Sequence, residues 1–281
     1  MVYPMRGQSK KKMKVSVIIS TYNSPDWLEK VLWGYTCQDH SDFEIIIADD
    51  GSGKDTKNLI VDFQKNTSLE IHHVWHEDKG YRRQTILNKA ILTAHTEYII
   101  FTDGDCIPRN DFISTHVIQA EKGYYLSGGY CKLSMDLSKT IAKENILNRE
   151  SFNLKWLRSF GSVGLSQSRK LRARGKWANF LDIVTPAKPT FNNCNSSAWK
   201  SDLLAVNGYD ERMQYGGSDR EIGERLRNYG VVGKQIRHRA IVLHLDHPRG
   251  YKTEESIEKN LMIRKKTKQL KVSWTPHGIV K

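Results

Sequence analysis

The residues of this chain with the most chemistry in them are carboxylates placed at the ends of apolar runs. Asp103 and Asp105 flank Gly104 directly after Tyr98-Ile99-Ile100-Phe101-Thr102, and Asp49-Asp50-Gly51-Ser52 follows the run from Phe43 to Ala48. Two carboxylates spaced this way at a strand end can face one divalent ion or its waters, with the glycine admitting a ligand closely. Such oxygen ligands suit Mg2+ or Mn2+. A cation held there would neutralise phosphate and make a nucleoside diphosphate a good leaving group. Two common phosphate cradles are missing. Ser20 to Trp27 has no glycine where a dinucleotide site needs G-x-G-x-x-G. Around Gly53-Lys54, Ala48 replaces the first glycine of a P-loop and Asp55 its Ser or Thr.

Strand ends must converge to bring these groups together. The first hundred residues alternate strand and helix patterns over short connections, the signature of a parallel sheet. Val15 to Ser20, Phe43 to Ala48, Leu69 to Trp75 and Tyr98 to Thr102 read as strands. Pro25 opens a helix carrying Trp27, Leu28, Val31, Leu32 and Tyr35 at helical spacing, and two more helices carry Leu59, Ile60 and Phe63, then Ile86, Leu87, Ala90, Ile91 and Ala94. Ligands of such sheets collect at the carboxyl ends of the strands. Residues 132–190 read as largely helical and basic, and Phe191 to Ser197 leads into a further helical stretch. Residues 208–220 read as a loop rich in glycine and acid, Asp219 to Tyr229 as a helix, and Ala240 to Leu245 as a last strand ending in His244-Leu245-Asp246-His247.

The formal net charge of +13 is unevenly spread. Residues 1–14, 151–181 and 259–271 hold five, seven and six Lys or Arg and no Asp or Glu, and the remaining chain is slightly acidic. A nucleic-acid partner, which calls for a basic folded face, is not expected. The basic segments fit a solvated tail, an anionic lipid surface or an anionic acceptor. No apolar run approaches the ~18 residues of a membrane span, and no signal-peptide core follows the basic start, so a cytoplasmic location is expected. Cys37, Cys106, Cys131 and Cys194 are widely spaced, without a C-x-x-C pair, and read as reduced.

In order, Val15-Ser16-Val17-Ile18-Ile19 with Thr21-Tyr22-Asn23, Asp49-Asp50-Gly51-Ser52 and Asp103-Gly104-Asp105 resemble the inverting family 2 glycosyltransferases of GT-A fold. His76-Glu77-Asp78-Lys79-Gly80-Tyr81-Arg82, Asp103 to Pro108, Val206-Asn207-Gly208-Tyr209-Asp210, Gly216-Gly217-Ser218-Asp219 and His244 are similar to the subgroup of bacterial chondroitin-type polymerases and galactosyltransferase-like domains. The resemblance implies an α/β GT-A fold: a Rossmann-like, mostly parallel central sheet flanked by helices, with a helical insertion and a C-terminal helical tail. The expected organisation is a basic tail over 1–14, one domain over 15–250 with a nucleotide-binding half (15–131) and an acceptor half (132–250), and a basic helical tail over 251–281.

The resemblance also implies roles. Ser20, Tyr22, Asp50, Asp78, Arg82 and Asp103 would bind the nucleotide, Asp50 accepting from the uracil N–H. Asp105 and His244 would hold Mn2+ or Mg2+, with His247 competing for the imidazole role. Asp219 would be the general base for an acceptor hydroxyl attacking the anomeric carbon opposite the diphosphate, on a loop that Gly216 and Gly217 allow to close. Where the subgroup has Glu and Arg, this chain has Ser218 and Leu87. The implied partners are a nucleotide-sugar donor, a UDP-sugar above others, and a glycan acceptor of lipopolysaccharide or capsule assembly, lipid-linked in many bacteria.

Asp49 reads as a capping carboxylate, and the His72, His73, His76 cluster as structural, because alternate strand faces separate His72 from His73. Trp156, Trp177 and Trp199 read as packing, with a sugar platform open to whichever is exposed. Arg249 and Lys252 fit either diphosphate neutralisation or a solvated loop. Residues 253–271 read as a helix with Ile257 and Leu261 on one side, a candidate for peripheral contact with an anionic membrane at its inner face. Two other functions compete: nucleotidyl transfer on the same fold, and an inactive polyanion-binding module.

Overall fold

The computed structural model describes residues 13–161, 163–248 and 252–280. Arg249 and all of the basic N-terminal segment except Met13 and Lys14 lie outside them. Among the described residues no helix is long and apolar enough to cross a membrane.

The amino-terminal half alternates β1 (Val15–Thr21), α1 (Pro25–Thr36), β2 (Phe43–Asp49), α2 (Lys54–Asn66), β3 (Ile71–Trp75), α3 (Arg83–Thr93) and β4 (Tyr98–Asp103). β1 pairs in parallel with β2 and β4, and β2 in parallel with β3. β1, β2 and β4 are almost continuously apolar because both sheet faces are covered there, whereas the edge strand β3 is only partly buried. Val15, Val17, Ile19, Ile45, Ile47 and Ile100 meet α1 and α2, whereas Ile18, Ile46, Ala48, Ile99 and Phe101 meet α3. The two-residue strand period divides them between these layers.

The chain continues through β5 (Cys106–Pro108), α4 (Phe112–Gln119), β6 (Tyr124–Ser127) and β7 (Gly129–Lys132), then five short helices. These are α5 (Met135–Thr140), α6 (Lys143–Leu147), α7 (Leu154–Ser159), α8 (Leu165–Arg172) and α9 (Gly175–Val184), the helical insertion expected from the sequence. β8 (Ser196–Trp199), α10 (Lys200–Ala205), α11 (Ser218–Tyr229), β9 (Val232–Gln235), β10 (Ile241–His244) and α12 (Glu254–Gln269) complete it. The main sheet runs β3-β2-β1-β4-β8-β6-β9, and a second sheet runs β5-β10-β7. Strand order therefore turns between β1 and β4, the position at which open α/β sheets leave a crevice.

β8 differs from the expected passage of residues 191–197 straight into a helix. Its sequence has no apolar alternation because its polar side chains are buried and paired. The Ser197 hydroxyl lies 2.8 Å from Tyr98 Oη and 2.7 Å from His116 Nδ1, and Ser196 Oγ accepts the Asn192 N–H. Just before β8, Asn195 Nδ2 donates to the carbonyls of Gly129 and Ala240, joining the two sheets.

The segment 252–280 packs on the body. α12 lies against α11, burying Ser256, Asn260 and Thr267, while Leu261 is exposed. The amphipathic face expected around Ile257 and Leu261 is therefore replaced by a polar inner seam. Beyond α12, Asn207 Nδ2 donates to the carbonyls of Thr275 and Val280, and Thr275 Oγ1 donates to Asp210. Arg225 donates to the Val206 and Gly208 carbonyls and to Glu221. The Val206-to-Asp210 motif thus forms a structural junction.

Candidate active site

A cavity of about 520 Å3 opens at the carboxyl ends of β1 and β4. Ser20, Thr21 and Tyr22 enter from β1, Asp50 from the end of β2, Asp103, Gly104 and Asp105 from β4, and His244 and His247 from the end of β10. Strand register sets their order: Ser20 lies opposite Asp103, and His244 opposite Cys106. The Gly104 N–H donates to the Ser20 carbonyl at 2.8 Å, and a Cβ on Gly104 would come within 3.1 Å of that oxygen and of Thr21 Oγ1. The glycine expected to admit a ligand therefore also admits β1.

On one wall the Ser20 hydroxyl donates to Asp103 Oδ1 at 2.8 Å. The Arg83 guanidinium donates to Ser20 Oγ at 2.8 and 3.1 Å and to Asp103 Oδ1. Burial works against the Arg83 charge, and Asp103, together with smaller contributions from Tyr81, Tyr209 and Asp219, more than offsets it.

Asp105, His244 and His247 each bring one potential ligand atom to within 4.8 Å of the others. His244 Nδ1 lies 2.8 Å from the Leu245 carbonyl, and His247 Nδ1 2.9 Å from that of Pro248. A carbonyl only accepts, so each Nδ1 donates there, which leaves Nε2 as the atom through which each histidine would ligate. His247 Nε2 lies 3.1 Å from Asp105 Oδ2. Burial raises the Asp105 carboxyl above its ordinary range, which the two histidines oppose. One carboxylate and two imidazoles fit a divalent cation, and the nitrogen ligands suit Mn2+ better than Mg2+.

Opposite them, Asp50 is nearly buried and doubly engaged, by His76 Nε2 at 2.7 Å and the Arg82 backbone N–H at 3.0 Å. Burial raises its carboxyl despite both contacts. Tyr22 is half exposed and donates from Oη to Asp78 at 2.8 Å. That hydrogen bond leads in holding the Asp78 carboxyl below its ordinary value. Asp78 and Arg82 do not line the cavity. The Arg82 guanidinium turns back to the Glu77 carbonyl, so the only hydrogen bond this residue gives the site is from its backbone, to Asp50. The three nearby histidines divide among different carboxylates: His72 to Glu44 and Glu70, His73 to Asp49, His76 to Asp50. Asp49 also accepts the Ser52 N–H at 2.8 Å, capping the turn before α2.

Asp219 stands in the first turn of α11, half-buried, with Oδ1 accepting the Arg220 N–H at 2.8 Å. Burial raises its carboxyl, an effect the Arg83 charge opposes and the Asp103 charge reinforces. Asp219 is not among the cavity-lining residues, whereas Tyr215 of the preceding loop is. That loop is held: Asn260 Nδ2 reaches the carbonyls of Gln214, Tyr215 and Gly216 at 3.1, 3.0 and 2.9 Å. Gly216 and Gly217 have φ of 109° and 84°, values that L side chains rarely adopt, so these glycines serve a fixed left-handed turn. Ser218, where the subgroup has Glu, accepts from Gln84 Nε2 at 2.8 Å and ties α11 to α3.

The family model described as Glycosyl transferase family 2 matches residues 16–164, more than half of the chain. The chain belongs to glycosyl transferase family 2. Among curated relatives, it is 24% identical over 280 residues to the uncharacterized glycosyltransferase YfnE of Bacillus subtilis, covering 89% of this chain and 69% of that one. It is 30% identical over 146 residues to a Campylobacter jejuni GalNAc(5)-diNAcBac-PP-undecaprenol beta-1,3-glucosyltransferase, covering 50% and 47%, and 23% identical over 262 residues to an Escherichia coli chondroitin synthase, covering 89% and 37%. Beyond the first, the chain thus spans half or less of these proteins. The solved structure of S. aureus TarS 1-349 in complex with UDP-GlcNAc aligns with a TM-score of 0.61 at 14% identity, over 89% of this chain and 64% of that one. The mannosyltransferase PcManGT of Pyrobaculum calidifontis, in complex with GDP-Man and Mn2+, aligns with a TM-score of 0.56 at 17% identity, over 85% and 59%. These likenesses establish the GT-A fold.

Within this family 2 glycosyltransferase, the structure brings Ser20, Tyr22, Asp50, Asp103, Asp105, His244 and the competing His247 to one cavity and adds Arg83 and Tyr215. Arg83 was legible in principle. It lies three and four residues before Ile86 and Leu87, on the inward face of α3. Trp199 is buried, Trp156 packs against the core and Trp177 is exposed, away from the cavity lining. Lys252 is exposed.

Proposed function

We propose that this enzyme is a metal-dependent inverting glycosyltransferase that moves a sugar from a UDP-sugar to a hydroxyl of a cell-surface glycan acceptor, working at the cytoplasmic face of the membrane. The observation that carries the reading is the meeting of Asp105, His244 and His247 beside the Ser20–Arg83–Asp103 cluster, in one cavity at the β1/β4 turn of strand order. Tyr22 offers an exposed ring for the base, and Asp50 a carboxylate for its N–H. Asp103, oriented by Ser20 and Arg83, meets the ribose, with Arg83 balancing its charge next to the phosphates. Asp105 and His244 hold Mn2+ or Mg2+, joined by His247; when bound, the cation supplies charge neutralisation to the departing diphosphate.

Asp219 takes the acceptor proton. Its raised carboxyl brings its basicity closer to that needed near neutral pH. Attack from the face opposite the diphosphate inverts the anomeric centre in one displacement. Hydrolysis of UDP-, GDP- and dTDP-sugars with and without Mn2+ tests the reading. UDP-sugars should turn over with metal only, Asp105→Ala should abolish turnover, and Asp219→Asn should retain donor binding while losing transfer. The rate should rise with pH as Asp219 ionises, a limb absent in Asp219→Asn. Transfer surviving Asp219→Asn would remove the proposed base.

A further inference from the structure

α9 has two apolar faces where a surface helix ordinarily has one. Ala178, Leu181 and Asp182 point inward. Asp182 anchors that face, accepting from the His238 backbone N–H at 2.9 Å and from Arg239 Nε at 2.7 Å, with His238 Nδ1 2.9 Å away. The outer face carries Trp177, Phe180, Ile183 and Val184 at spacings of three, three and one, all exposed, Ile183 by 82%. The Trp177 and Phe180 rings stack at 5.4 Å. The core is already served by the inner face, so the outer one has no partner among the described residues.

Its surroundings are of one charge. Lys155, Arg158, Arg169, Arg172, Lys176 and Lys188 are exposed on α7 to α9 and the segment after them. The sole acid between residues 151 and 190 is Asp182, buried and paired. The region also adjoins the active site. Lys170 of α8 donates to the Tyr130 carbonyl at 3.0 Å and sits 5.4 Å above the Tyr130 ring, which lies 5.9 Å from that of His244.

We infer that the outer face of α9, with the basic residues around it, docks on an anionic lipid bilayer, Trp177, Phe180 and Ile183 entering the headgroup boundary. Exposed aromatics beside exposed cations complement both parts of such a surface: apolar burial holds the helix and charge attracts it. This moves the membrane contact from α12, whose inner seam is polar, to α9. It deepens the proposed transfer by placing a lipid-linked acceptor on the side of His244 where Tyr130 stands.

The test is co-sedimentation of the full chain, without donor, with vesicles of phosphatidylcholine alone or containing phosphatidylglycerol, at low and high NaCl. Binding should require phosphatidylglycerol and weaken with salt. Trp177→Ser/Phe180→Ser/Ile183→Ser should lower partitioning roughly tenfold. Arg172→Gln and Lys176→Gln should each lower it about fivefold. Donor hydrolysis by these surface variants should match the parent, confirming their fold, and loss of vesicle binding leaves that activity to be judged separately. Wild-type indifference to anionic vesicles, or undiminished binding by the triple variant, would overturn the inference. So would a dimer in light scattering that the triple variant abolishes, since a second copy would then cover the face.

Discussion

Two adjacent arginines, Arg82 and Arg83, separate the arrangement in the structure from the role expected of Arg82 in the sequence. Arg83 donates to Ser20 Oγ twice and to Asp103 Oδ1, inside the cavity. Arg82 gives Asp50 its backbone N–H, which any residue but proline does, and from its side chain only the field of its charge. Removing Arg83 deletes a charge-assisted contact to a partly buried carboxylate, worth about 1.5–3 kcal/mol. At ~1.4 kcal/mol per tenfold, Arg83→Ala should lower kcat/KM for Mn2+-dependent donor hydrolysis roughly 10- to 150-fold. Arg82→Ala loses an exposed contact to the Glu77 carbonyl and should stay within about fivefold, since surface contacts of this kind contribute ~1 kcal/mol or less. A double-mutant cycle with Asp103→Asn adds a check, because the coupling should appear for Arg83 and vanish for Arg82. If Arg82→Ala proves the more damaging, the orientation of both side chains in the donor complex differs from the one described and the argument fails.

Asn260→Ala should separate positioning from binding. The substitution strips partly buried carbonyls of the Gln214-to-Gly216 loop of their shared donor, costing ~1–2 kcal/mol. The expected result is a kcat about tenfold lower with the donor dissociation constant within about twofold, measured by transfer kinetics and calorimetry; equal losses in both would refute the role. Glu44 makes the stability prediction. Burial alone would raise its carboxyl, but donation from Ser16 Oγ at 2.5 Å, from the His95 N–H at 2.8 Å and from the His95 ring outweighs it and holds the carboxyl below its ordinary value. The sign follows from linkage: stability from a depressed carboxyl is present above its unfolded value and lost as pH falls through the folded one. Urea midpoints should decline below the usual glutamate range. Glu44→Gln should flatten that decline and lower stability near pH 7, and an unchanged acid limb would count against the assignment.

What the sequence disclosed and what it withheld divide along physical lines. β1, β2 and β4 were legible because burial on both faces leaves a local, continuous apolar signal, and Asp50, Asp103 and Asp105 were legible because they stand where those signals stop. Asn195, Ser196 and Ser197 look like a loop in one dimension. Their partners, Tyr98, His116, Gly129 and Ala240, lie 99 to 45 residues away, and only that pairing turns a polar run into the strand joining two sheets. Asn260 is the same case at the catalytic loop: a polar residue in a basic helix, given meaning by carbonyls 44 to 46 positions earlier. Arg83 falls between. Helical phase placed it on the inward side of α3, but the choice over Arg82 depends on Ser20 and Asp103, 63 and 20 residues distant, which β1–β4 register brings opposite each other. Residue type and strand end are therefore enough to nominate the carboxylates of the proposed cation site, whereas His244 needed the resemblance. The groups that orient them and hold the proposed base in place are set by polar pairing between distant segments, whose pattern has no period to read.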